Sequence, residues 1–308
     1  MHVISWREYT DYTQDELKDN LIKAFLEAEY FITCASNFYK LKISIPTIVI
    51  NESTGNNSGI CYERKAIVVK EGLLQYLFIN EKNKLQATLE TRTNHFLWII
   101  AHEYSHYARR HNEVKSEIDN QYKNGDIPLY EMKIYEQVLE DDADRIATAC
   151  LYRHFENYKY KNNTKLQNKV TVLNSLFEPI RLKISGVVEK NSLNNTHPVW
   201  SARLYSQVIK LAELDTRDIK IPITIESETF VQQQFLQEHL LMLERVHINA
   251  KGESEKNYLF QYLHSQNCYI DLNNLNFYSS NIYPLIYEKC CLLGLNGQTG
   301  EWVPYAFK

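Results

Sequence analysis

His102, Glu103 and His106 stand in the order His-Glu-x-x-His. On a helix, residues four apart share a face, so the two imidazoles aim at one point, as a tetrahedral zinc site requires. Glu103 lies one position round from His102, where its carboxylate reaches a water on the metal without becoming a ligand. This is the short zinc-hydrolase signature. Five residues alone are weak grounds for it, because a surface helix with two satisfied histidines reads the same way. The preceding run Phe96-Leu97-Trp98-Ile99-Ile100-Ala101 reads as buried helix and would hold the imidazoles from the core.

A catalytic zinc takes three protein ligands and keeps a fourth position for water. Glu140 and Asp144 are four apart on one helical face. In this arrangement the Glu is the third ligand and the Asp takes a hydrogen bond from the outer nitrogen of a ligand histidine. Ala143 between them lets two helices approach. Glu136, one turn earlier, is the rival ligand, and the pattern Glu-x-x-Ala-Asp-x-x-Ala from Glu140 to Ala147 favours Glu140. A solvated acidic helix face is the bland alternative. Further on, Asn194-Asn195-Thr196-His197-Pro198 precedes Arg203. If His197 faces the zinc, its imidazole would donate to the oxyanion of a tetrahedral intermediate. Arg203 would fix this loop by pairing with a carboxylate such as Asp144. A surface histidine and an ordinary salt-bridged arginine are the competing readings. His111, five residues beyond His106, falls on another face and is expected in solvent. His95 lies two turns before His102, too far to bind the same metal. Trp98 and Trp200 read as core or pocket wall.

The elements needed to position these groups make a mainly helical α+β chain with a small sheet before the metal helix. Periodicity predicts helices at 13–39 (with Thr13 as N-cap), 85–114 (the metal helix), 130–158, 170–188 (ended or kinked by Pro179), 199–214, 227–246, 253–264 and 281–293. Strands are expected at 43–50, at a sheet edge because of Pro46, and at 60–69. Residues 115–127 read as polar, ending in a loop at 124–128, and 297–308 as an irregular tail. Strands beside a metal helix offer an edge on which an extended peptide can pair; a purely structural hairpin is the alternative. The expected organisation is a region at 1–215 that carries the metal motifs and a helical region at 216–308, either part of the same domain or a substrate or regulatory subdomain.

The 308 residues are 44% hydrophobic, enough for one large core or two modest ones. A net charge of -4 predicts no nucleic-acid partner. The six cysteines fit neither a C-x-x-C metal site nor a dense disulfide framework, which points to reduced thiols in a cytoplasm. The start lacks a basic and then apolar leader, and no apolar run approaches a membrane span, so a cytoplasmic protein with no membrane partner is expected.

Taken in order, His102-Glu103-Tyr104-Ser105-His106, then Glu140-Asp141-Asp142-Ala143-Asp144, then Thr196-His197-Pro198 followed by Arg203 resemble the gluzincin peptidases of the CAAX prenyl protease and HtpX type. Ala66 to Leu74 is similar to their strand and helix before the metal helix. Within that group the chain looks most like the Lit-type phage-exclusion peptidases, through Trp98-Ile99-Ile100 leading into the motif and through Asn195-Thr196-His197-Pro198. The likeness covers residues 45–210 or so. It implies a zincin metallopeptidase domain over 1–215 and a cytoplasmic protease with Zn2+ on His102, His106 and Glu140 and with Glu103 as general base. It also implies elongation factor Tu as the protein substrate and a phage coat-protein peptide as the trigger. Tyr104 departs from the family, where an aliphatic residue is usual, and residues beyond Leu214 match nothing in it. Two other readings stay open: a housekeeping peptidase of the HtpX kind, against which the lack of membrane spans counts, and a binding protein with a structural zinc, against which the intact Glu103 counts.

Overall fold

β-branched residues run consecutively through Thr47–Asn51 and Ala66–Lys70, and these two strands form the middle of a four-stranded sheet. In a computed structural model, which describes residues 3–13, 15–55, 57–79, 88–184, 197–218 and 266–291, the strand order is β1-β2-β4-β3. β1 (Val3–Ser5) is antiparallel to β2 (Thr47–Asn51), which runs parallel to β4 (Ala66–Lys70). β3 (Ser58–Cys61) lies antiparallel on β4 with Ser58 opposite Val69. The single strand expected at 60–69 is therefore a hairpin, turned at 62–65 with Lys65 in the left-handed region at φ 51°. Pro46 sits just outside β2, where it forfeits no ladder bond, so β2 is internal and not at the expected edge. The edges are β1, which carried no sequence signal, and β3.

Helix α1 (Trp6–Asp11) is capped by the Ser5 hydroxyl, which accepts from the Glu8 amide. Thr13 does not cap the next helix; its hydroxyl donates to the Tyr9 carbonyl, and α2 spans Asp15–Phe38. β4 runs directly into the short α3 (Glu71–Leu74) and a π-turn at Gln75–Ile79. α4 (Leu89–Ala108), the expected metal helix, is the hub, packed against α2, β3, α6 (Leu129–His154) and α7 (Lys165–Ile184). Its Phe96, Leu97, Ile100, Ala101 and Tyr104 are fully buried, with Ala143 and Ala147 of α6 equally enclosed. The Tyr104 hydroxyl is satisfied in the core by Ser36 of α2 at 3.1 Å.

α4 stops at Ala108, short of the expected 114, and a separate helix α5 occupies His111–Asn124, across the expected end of the metal helix and the polar stretch after it. Val114 and Ile118 give α5 a buried stripe, and Gly125 at φ 80° ends it, with the Asp126 amide donating to the Gln121 carbonyl. α7 continues through Pro179 to Ile184. α8 is Trp200–Asp218 and α9 is Gln266–Lys289, longer than the helix expected at 281–293. Leu275, Ile282, Tyr283 and Ile286 of α9 share an apolar cluster with Val114 and Ile118 of α5 and Met132, Tyr135, Val138 and Leu139 of α6. The described part of the region 216–308 thus packs on the elements of the metal site. The helices expected at 227–246 and 253–264 and the tail at 297–308 lie outside the described residues. Among the described residues no helix is long and apolar enough to cross a membrane.

Gly72 opens α3 against the loop that precedes β3: its amide donates to the Ser53 carbonyl, and a Cβ there would stand 2.2 Å from the Thr54 carbonyl oxygen. That oxygen is backbone and has nowhere to go. Gly72→Ala is expected to destabilise the fold by about 1–3 kcal/mol, read as a lowered midpoint in thermal or urea unfolding.

Candidate metal centre

Three side chains from two helices converge. His102 and His106 of α4 place their Nε2 atoms 3.1 Å apart. Glu140 of α6 brings one oxygen to 3.4 Å from His102 Nε2 and the other to 3.6 Å from His106 Nε2. These three form the one His/Cys/Asp/Glu group among the described residues that could hold a metal ion.

The surrounding hydrogen bonds fix where the protons lie. His102 Nδ1 is 2.8 Å from Asp144 Oδ1. Burial raises the Asp144 carboxyl, but the Arg203 guanidinium outweighs it and holds the group below the usual carboxylate range. Arg203 donates to both Asp144 oxygens, at 2.6 and 2.8 Å. An ionised carboxylate only accepts, so His102 carries its proton on Nδ1 and its Nε2 presents a lone pair. On the other ligand, His106 Nδ1 faces His111 Nδ1 at 2.8 Å, and His111 Nε2 lies 3.0 Å from Asp142 Oδ2. Asp142 is held far down, against its burial, by Arg109, which donates to it at 2.6 and 2.8 Å. Burial pulls His111 down to about 4, with the Asp142 hydrogen bond opposing and the neighbouring His106 and Arg109 adding to the fall. A neutral His111 donating from Nε2 accepts at Nδ1, so the network assigns the proton between the rings to His106 Nδ1. His106 Nε2 is then a lone pair as well.

Three acceptors therefore face one another, with the Glu140 carboxylate 3.4 and 3.6 Å from the two imidazoles. Only a cation reconciles them. A proton does so in the metal-free protein: burial lowers His102, but hydrogen bonds to Asp144 and Glu140 prevail and push it up to about 10. Glu140 in turn is held well below its ordinary value, against its burial, by the imidazoles of His106, His102 and His197. Zinc fits the same place. One donor atom from each of His102, His106 and Glu140 lies within 4.8 Å of the other two, close enough for a single ion to be shared among them. Two imidazoles and one carboxylate are also a donor set that leaves a fourth position open.

Glu136 faces away, bound by Lys115 and Lys133 at 2.7 Å each, so its charge is already matched. Glu103 is buried, and its Oε1 accepts from the Ser58 hydroxyl at 2.7 Å. Ser58, the first residue of edge strand β3, was not singled out by sequence; a contact across 45 positions leaves no local pattern. Tyr62, in the hairpin turn, donates to the His106 carbonyl at 3.1 Å. His197 is half exposed with Nε2 3.1 Å from Glu140 Oε2. Its loop is tied to α9, for the Val199 amide donates to buried Asp271 at 2.8 Å. Trp98 and Trp200 sandwich the Arg203 guanidinium at 5.8 and 4.3 Å. His95 bonds the Ser175 carbonyl instead.

His111 corrects the sequence reading. It is buried, not in solvent, because the helix breaks before it. A continuous helix would set a residue five positions on about 140° round the axis. Arg110 adopts φ 56°, the left-handed region, at a cost of about 1–2 kcal/mol, and the turn brings the His111 ring back to His106.

Comparison of the chain with family models, with curated proteins and with solved structures finds no match. The site defines a mainly helical α+β protein with a His-His-Glu centre suited to a metal ion. In elemental analysis after zinc is supplied, Glu140→Gln is expected to hold less metal than wild type and Glu136→Gln as much; the reverse result would reassign the third ligand.

Asp141 gives a pH prediction. Burial first, then the charges of Asp144 and Asp142, raise its carboxyl to about 6 against the pull of Arg145 and the Ser206 hydroxyl. The folded value lies above the ordinary value of about 3.9, so its contribution to stability is full below pH ~4 and is lost as pH rises through ~6. Asp141→Asn, which stays neutral, is expected to match wild type at pH 4 and to exceed it by about 2–3 kcal/mol at pH 8, measured by denaturant unfolding.

Proposed function

We propose that this protein is a zinc-dependent endopeptidase of the Lit type, with Zn2+ held by His102, His106 and Glu140. The observation that carries the reading is the convergence of three acceptors beside a carboxylate, Glu103, that makes no part of the ligand set. Bound zinc supplies a Lewis acid that lowers the pKa of water to about 7 and polarises a carbonyl. The chain's own groups do the rest. Asp144 and His111 hold the two imidazoles by their outer nitrogens. Ser58 binds Glu103 Oε1 and leaves Oε2 to take the proton of the attacking water and pass it to the leaving amine. His197, half exposed and beside Glu140, donates to the carbonyl oxygen as it becomes charged. Edge strand β3 carries Ser58, so a peptide added along its outer side by main-chain hydrogen bonds would run past Glu103.

The biological setting rests on the motif likeness. In it the protease is cytoplasmic, cleaves elongation factor Tu and so stops translation in an infected cell. A phage coat-protein peptide makes the cleavage conditional, since unconditional cutting of a translation factor would kill the host.

Glu103→Gln is the test of chemistry. The carboxamide is nearly isosteric but accepts no proton, so the variant is expected to keep zinc and its melting temperature while cleavage falls about 10²–10⁴-fold. New protein termini in lysates of infected cells, identified by N-terminal labelling, give the readout. Wild-type cleavage by the Gln variant would overturn the mechanism and favour a zinc-stabilised binding protein. Induced expression is expected to be harmless until phage is added; equal toxicity with and without phage, abolished by Glu103→Gln, would make the protease constitutive.

A further inference from the structure

We propose that His111 is a positioning residue for the metal: it fixes the ligand His106 by accepting a hydrogen bond from Nδ1, as the first member of a relay through Asp142 to Arg109. This rests on the zinc reading and adds a residue to it. The pieces are all buried, with His111 at 3% exposure, Asp142 at 4% and Arg109 at 3%. The links are short: 2.8 Å from His106 to His111, 3.0 Å from His111 to Asp142, and 2.6 and 2.8 Å from Arg109 to Asp142. The backbone is bent for the purpose, since Arg110 takes a left-handed conformation that side chains seldom adopt, and the ring contact is made by that bend.

The relay makes the two ligand imidazoles unequal. His102 gives its outer proton to a carboxylate, Asp144, which pushes electron density through the ring to Nε2. His106 gives its outer hydrogen bond to an imidazole nitrogen, a weaker acceptor than a carboxylate, so its ring would be polarised less. The far end of the relay reaches α9. Arg109 approaches Cys290 Sγ at 3.9 Å and lies 5.8 Å from the Tyr287 ring, and the Cys291 amide donates to the Ala108 carbonyl at 2.9 Å. α9 thereby closes the end of α4 on which the ligands sit.

His111→Leu and His111→Asn separate positioning from filling. Leu keeps the bulk and removes the acceptor; Asn puts an oxygen where Nδ1 stood. The affinity of each metal-free protein for zinc, by chelator competition, and the visible spectrum of its cobalt form are compared with wild type. Circular dichroism of the metal-free proteins reports the fold. The expected result is a 10–100-fold weaker affinity and a changed cobalt spectrum for Leu, with Asn within a few fold of wild type. A Leu variant that binds as wild type does, or an Asn variant that loses as much as Leu, overturns the relay. Should Leu fail to fold, Asn decides alone: a retained cobalt spectrum and affinity support the relay, and a tenfold loss overturns it. A wild-type protein that takes up no zinc overturns the metal reading itself, and the role of His111 with it, which sets that failure apart from failure of the relay.

Discussion

The Asp144 carboxylate is the point on which the rest depends. It has no exposure to solvent, and it is held by His102 of α4 and by the fork of Arg203 from α8. A charge buried to this degree persists only while both partners are present, and losing one leaves an uncompensated ion at a cost of about 3–5 kcal/mol. Three helices are thereby locked in register at one atom group. The same contact sets the tautomer of His102, so the stability of the bundle and the readiness of the metal centre are one constraint.

Asp142 repeats the device two residues earlier, with Arg109 as its guanidinium and His111 as its imidazole. The intervening Ala143 lets α6 lie close against α4. Asp141, in the same run, points elsewhere, toward Arg145 and Ser206, and remains the least well matched of the three. A sequence of such charge suggests a solvated helix face. Here each carboxylate is withdrawn from water and assigned to a different neighbour, which is how one turn of helix can hold α4, α5 and α8 at once.

α9 extends this scheme. Asp271 near its start holds the Val199 amide next to His197, and Tyr287 and Cys290 near its end meet Arg109. The two ends of one helix therefore touch the loop in front of the centre and the relay behind it. A residue range that carries no catalytic motif still bears on the geometry of the site.

Helical period is a local property, so the facing of side chains along each helix was legible in the chain. The spacing of His102 with His106 and of Glu140 with Asp144 puts each pair on a face, and the buried run before His102 marks which face is inward. The pairing of Arg203 with Asp144 was readable as charge seeking charge. The choice between Glu140 and Glu136 leaned on pattern, and the structure brings Glu140 to the imidazoles because two lysines claim Glu136. Contacts that no local pattern carries were decided by the tertiary fold. The left-handed residue at Arg110 breaks one apparent helix into two and turns His111 from an exposed side chain into a partner of His106. The hairpin that brings Ser58 to Glu103, and the docking of α9 on Arg109, join residues 45 and 181 positions apart. Periodicity says which way a side chain faces along its own helix; only the packing of separate elements says what it meets there.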